Sequence, residues 1–201
     1  MQKETASWED RLAKYISIFT SPYITTPVFG LWIIGVYSPS LKTFFLWGLT
    51  FFICILVLPS LYVYAQVRAG SITDMHVAIR EQRSKPFLVG ILCSVMLVGI
   101  YYIEHVPEIL MILGFLLFIN ACIFLVVSLF SKVSIHVATY VGSVFILYRL
   151  LDHPSILFFL LLFPLIVWAR RKRERHTLWQ SLSAAVMVMI IIFITLNFFG
   201  F

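Results

Sequence analysis

Charge is scarce in this chain. Asp, Glu, Lys and Arg make up 12% of its 201 residues, against 61% hydrophobic and 16% aromatic. A soluble domain averages about 25% charged and roughly 45–50% apolar residues, and a folded chain of this size still exposes about a quarter to a third of its surface. So little charge cannot cover that surface, which excludes a water-soluble globular domain and leaves lipid as the solvent. The mean hydropathy of +0.99 agrees. Cysteine is also sparse: Cys54, Cys93 and Cys122 fall in three separate apolar runs without Cys-x-x-Cys spacing. That excludes a disulfide scaffold or a zinc ribbon and is the pattern of buried apolar thiols. His-Glu-x-x-His, an Asp-rich magnesium motif and a Gly-x-Ser-x-Gly elbow are all missing, so neither a metal ion nor another cofactor is expected. Residues 1–14 hold Lys3, Glu4, Glu9, Asp10, Arg11 and Lys14 with no apolar core, unlike a secretory leader.

What the chain does have is long apolar runs, at residues 22–38, 43–66, 86–103, 107–130, 134–151, 154–169 and 178–199. A helix needs about 20 residues to cross a bilayer. Backbone groups in lipid must be satisfied within helices or closed barrels, and unalternated runs favour helices over barrel strands. The expected fold is all-α: a polytopic transmembrane helical bundle of six to seven spans, forming one membrane domain over residues 22–201. Before it, residues 1–21 read as an interfacial segment. Ser7 and Asp10 have the spacing of an N-cap pair, and Trp8, Leu12, Tyr15, Ile16 and Phe19 recur at helical spacing, so this segment predicts a short amphipathic helix at the membrane surface.

The remaining charge is lopsided. With seven spans, Arg68, Arg80, Arg83, Lys85, Lys132, Arg170, Arg171, Lys172, Arg173 and Arg175 collect on one side. The other side receives Lys42, Glu104, His105, Glu108, Arg149, Asp152 and His153. The positive-inside rule puts the basic face in the cytoplasm, for a multi-pass protein of the cell inner membrane. The isoelectric point is 9.4, but the cations sit beside spans, so the bilayer and not nucleic acid is the expected partner.

Three basic stretches each open a predicted span: Arg80-Glu81-Gln82-Arg83-Ser84-Lys85-Pro86, Lys132-Val133-Ser134-Ile135-His136, and Arg170 followed by His176 and Gln180. Helix starts present unpaired N–H groups and the positive dipole end, which suits a phosphate group. A histidine in each of two cationic stretches adds a group that titrates near neutrality.

In order and spacing these stretches resemble the type 2 phosphatidic acid phosphatase superfamily of membrane lipid phosphatases, whose motifs are Lys-x6-Arg-Pro, Pro-Ser-Gly-His and Ser-Arg-x5-His-x3-Asp. Ala169-Arg170, His176 and Gln180 align with the third and Val133-Ser134-Ile135-His136 with the second. Lys85-Pro86 aligns with the end of the first, where Ala78 stands in place of the leading Lys. The resemblance spans about residues 74–190. Gln180 replaces the family's Asp and Ile135 its Gly. The resemblance implies a metal-independent phosphatase acting on a lipid phosphate monoester or diphosphate, isoprenoid or glycerophospholipid. His176 would form a phosphohistidine and His136 would act as acid and base. Gln180 would orient His176 through its amide oxygen. Arg170, Lys85 and either Arg80 or Arg83 would neutralise the phosphate oxygens, with Ser134 donating a hydrogen bond. The lipid tail would lie between helices, with Phe44, Phe45, Phe51, Phe52, Phe115 and Phe118 as candidate lining. The competing expectation is a non-enzymatic protein that binds or transports a lipid phosphate on the same basic face.

Overall fold

The computed structural model describes residues 7–201. Lys3 and Glu4 of the N-terminal segment lie outside the described residues. The described chain is an all-α bundle of α1 (Trp8–Phe19), α2 (Pro22–Tyr37), α3 (Leu41–Phe52), α4 (Leu58–Arg68), α5 (Ser84–Ile103), α6 (Glu108–Phe130), α7 (Ile135–Leu151), α8 (Phe163–Lys172) and α9 (Leu178–Phe198). A π-helical turn, Ile53–Val57, joins α3 to α4, and a 3-10 stretch, Pro154–Leu162, leads into α8.

Five helical stretches are long and apolar enough to cross a membrane, and the α1–α2 pair, bent by 42°, makes a sixth. The apolar α7 is shorter, at 17 residues. Counting it with α2 and the five long stretches gives seven passes, the upper figure expected from the sequence. Between 22% and 44% of each long stretch is buried in protein. The outward surface carries Trp32, Phe45, Leu92, Leu161, Phe193 and Phe198. An apolar surface on that scale fits a multi-pass membrane protein.

Specific contacts set the direction of each pass. Tyr23, opening α2, donates its hydroxyl to the Met75 carbonyl in the loop after α4, while Tyr37, ending α2, reaches the Leu150 carbonyl at the far end of α7. The starts of α7 and α9 meet where Ser134 N–H donates to the Gln180 carbonyl. The turns after α4, α6 and α8 therefore share one end of the bundle. The same end holds α1, which opens on a Ser7–Asp10 capping box as expected and is tied to α8 by Lys172 Nζ to Glu9 at 2.6 Å.

Two local features shape the interior. Pro59 has no N–H to return to Ile55, and its ring crowds that carbonyl; the chain responds with the wider π turn just before it. Gly142 lets α7 pack closely on α9, since a Cβ there would stand 2.8 Å from a Val188 methyl. Small residues at such crossings are how helices approach within lipid.

Candidate active site at the basic end of the bundle

α7 and α9 bring His136 and His176 to the shared end. His136 lies in the first turn of α7, and His176 just precedes Thr177, the N-cap of α9. Arg170 comes from the last turn of α8, the end of a helix and not the start of one. With Arg83 these side chains line a small cavity, together with His76, Ala78, Ile135, Arg173 and Arg175. No carboxylate is among its lining residues.

Its buried groups lack partners. Arg170 is 5% exposed, His136 5% and His176 8%. Arg170 Nε, His136 Nε2 and His176 Nδ1 make no hydrogen bond, and neither does the Oγ of fully buried Ser134 directly before α7. Native proteins pair nearly all such atoms, and a buried unpaired charge is costly. Ser134, expected to donate to a phosphate, is the N-cap of α7 without a side-chain cap bond, but it is fully buried behind Ile135 and His136 and is not among the cavity's lining residues. The arrangement suits an anion with several acceptor oxygens, which would satisfy these donors together.

Arg83 differs from Arg170 although it is equally buried, at 3% exposure. It donates from Nε to the Val77 carbonyl at 3.0 Å, from Nη1 to Val133 at 3.3 Å and from Nη2 to Ala78 at 3.4 Å. Arg83 is thus a clamp joining the loop after α4 to the turn before α7, as well as a cation on the cavity wall.

Two expected phosphate ligands stand outside the cavity. Lys85 is exposed on the first turn of α5 and is not among the cavity's lining residues. Residues two apart on a helix do not share a face, and Arg83 takes the inward direction. Arg80 pairs with Glu81 at 3.1 Å and lines an open outer groove with Lys132, Arg173 and Arg175. Gln180 Oε1 accepts from Thr177 N–H at 3.1 Å, closing the capping box of α9. The same side chain lies beside the His176 imidazole, where its hydrogen bond favours the protonated ring and opposes the neighbouring cations.

Burial first, then the neighbouring Arg170, Arg83 and Lys132, press the His176 imidazole down to about 3. It is therefore neutral at physiological pH, with a lone pair free for attack on an electrophile.

No motif pointed to His76, which lies in the irregular segment between α4 and α5. Its ring centroid is 5.4 Å from that of His136 and 5.9 Å from that of Tyr23. Among the described residues, no three His, Cys, Asp or Glu side chains are grouped to hold a metal ion.

The polar cavity adjoins a larger, apolar one, with His76, Arg83, Ile135 and His136 on the wall of both. The apolar space runs between α2, the π turn, α4 and α5 past Tyr23, Ile55, Leu56, Pro59, Val63 and Phe87. A third cavity, sharing Thr26, Phe87 and Ile135 with the second, extends toward Asn120 and Val188. The phenylalanines named as candidate tail lining instead pack helices or face outward: Phe51 is buried against Gly30, and Phe45 is outward-facing, the commoner roles for such residues in a membrane bundle. No family model, curated protein or solved structure matches this chain.

Proposed function

We propose that this protein is a membrane lipid phosphatase that hydrolyses a phosphate monoester or diphosphate of an isoprenoid or glycerophospholipid through a phosphohistidine on His176. The observation that carries the reading is the set of unpartnered buried polar atoms on His136, Arg170 and His176, beside a polar cavity that shares a wall with an apolar one. A headgroup phosphate matches the first space and an acyl or prenyl tail the second.

The two histidines differ in placement. His176 lines the polar cavity but not its apolar neighbour, whereas His136 lines both. With the tail in the apolar cavity, the ester oxygen lies toward His136 and the far side of phosphorus toward His176, as in-line displacement requires. The His176 lone pair forms a P–N bond while the P–O bond to the lipid breaks, and the departing oxygen takes its electron pair and a proton from His136. A phosphate dianion entering among these cations raises the proton affinity of nearby imidazoles, which lets His136 carry that proton. Water then attacks phosphorus, its proton passes to His136, and the P–N bond breaks to restore His176. Arg170, with its unbonded Nε, faces the charge that shifts onto the phosphate oxygens.

The test is phosphate release by purified protein from a panel of lipid phosphates with EDTA present, comparing wild type, His176→Ala and His136→Ala. Wild type should turn over at least one lipid, and both variants should lose about 10²-fold or more. Acid-labile, alkali-stable phosphate should be trapped on wild type and be absent from His176→Ala. Equal release by all three proteins would remove the histidines from the reaction. Tight lipid-phosphate binding by wild type without release would favour the carrier reading.

A further inference from the structure

We propose that His76 is a proton-relay residue of this site, passing protons between water and the buried His136 on the leaving-group side. The inference rests on the phosphatase reading and extends its machinery to a third imidazole.

The geometry has three parts. First, His136 is 5% exposed and its Nε2 has no partner, so each turnover requires a route by which it regains or sheds a proton. His76 is exposed and its ring is 5.4 Å from that of His136 at an interplanar angle of 58°. Second, both imidazoles stand at the boundary of the polar and apolar cavities, where the ester oxygen of an amphiphile would lie.

Third, the loop holds His76 there at a conformational cost. Val77 adopts φ 45°, a left-handed backbone that a β-branched residue rarely takes. The other described non-glycine residues with positive φ, His105, Asp152 and Glu174, directly follow helices, where such a conformation is a common way to stop. Val77 instead closes a turn with its N–H on the Asp74 carbonyl at 3.0 Å. Arg83 grips the carbonyls of Val77 and Ala78, Tyr23 grips that of Met75, and Asp74 Oδ1 accepts from His76 N–H at 2.8 Å. Such strain persists only where the surroundings enforce it.

The groups facing His76 suit a relay. Partial burial keeps the ring below its ordinary proton affinity; Asp74 opposes this, and Arg170, Arg173 and Arg175 reinforce it. His76 thus gives up a proton readily and takes one when a phosphate dianion offsets the arginines. In the first step a proton moves from His76 to His136 as His136 protonates the departing oxygen, and His76 is refilled from water. In the second, the proton taken from the attacking water leaves by the same route.

The experiment compares kcat/KM for two substrates, because this ratio reports the steps up to departure of the leaving group. An alkyl lipid phosphate needs its leaving oxygen protonated; p-nitrophenyl phosphate does not. His76→Ala and His76→Gln should each lower kcat/KM for the lipid phosphate by about 10²-fold while changing the aryl phosphate by about threefold or less. Added imidazole should restore much of the lipid activity of His76→Ala. Equal losses on both substrates, or no loss on either, would overturn the relay while leaving the phosphatase reading intact. A wild-type protein inactive on every phosphate ester would overturn both.

Discussion

Both ends of the bundle carry ionisable side chains, but they hold them in different ways. At the end facing away from the cavity, Glu104, His105, Glu108, Asp152 and His153 are exposed. Half-buried Arg149 has a partner there, donating to the Phe201 carbonyl and lying 5.7 Å over the Phe193 ring. At the basic end Arg170, His136 and His176 are buried with polar atoms that bond nothing. The same residue types thus serve two purposes. Water or the chain itself satisfies one set, and the other set keeps buried polar atoms that the chain does not pair.

The sharpest way to break this comparison is to remove the buried arginines one at a time. Arg170→Met removes a charge on whose Nε nothing depends, so the melting temperature in detergent should stay level or rise, while turnover falls by about 10²–10³-fold. Arg83→Met strands three backbone carbonyls, and should cost about 3 kcal/mol of stability as well as activity. Thermal denaturation alongside phosphate release checks both. A large loss of stability in Arg170→Met would mean that its guanidinium has a structural partner, and the contrast between the two arginines would collapse.

A smaller effect should appear in the pH dependence of stability. The unfolded chain protonates this histidine near its ordinary value of 6.5, whereas the folded chain resists protonation of His176 down to about 3. The unfolded state therefore binds more protons in between, and stability falls as pH drops from about 6.5 toward 3. The contribution of His176 is fully present above that window. His176→Gln should flatten this acid-side loss in thermal melts between pH 7.5 and 4.5. Inorganic phosphate should also flatten it in the wild type, because a bound anion offsets the arginines that hold the imidazole neutral. An unchanged slope in both cases would place His176 outside the cationic cavity.

The helices were legible because each apolar run is long and ends at polar punctuation, so 86–103 and 178–199 differ from α5 and α9 by a residue or two. Arg170, His136 and His176 were legible because each lies beside a helix end with a short local pattern around it. His76 was not. Its approach to His136 depends on Arg83, Tyr23 and a strained Val77, a tertiary arrangement with no periodic trace in the sequence. Lys85 misled because adjacency to Pro86 says nothing about helix face. Thr177-x-x-Gln180 carried two meanings, a spacing to His176 and a capping box, and Gln180 serves the helix start while lying beside the imidazole. The π turn had its signal in Pro59, but its consequence, a wall of the apolar cavity, depends on what packs opposite.

The smallest expected effect concerns how rigidly the two helices present their histidines. α7 and α9 meet where Gly142 faces Val188, close to Ala184 and Ala185 in the sequence of α9. A Cβ at position 142 would stand 2.8 Å from one Val188 methyl and 3.4 Å from Ile192 Cδ1. Both are ends of branched aliphatic side chains, so they can yield partly, and Gly142→Ala should cost about 1–3 kcal/mol from overpacking. The displaced contact lies nearly two helical turns from His136, so the helices should spread more than they rotate, lengthening the path between the imidazoles. Turnover of a lipid phosphate should then fall by less than in any histidine variant, with KM rising more than kcat falls. Val188→Ala in the same chain should recover much of the loss by making room for the new methyl group. Recovery of stability without recovery of KM would mean that this crossing supports the fold alone, and that the histidines are positioned from the loop side by Arg83 and the Ser134–Gln180 bond.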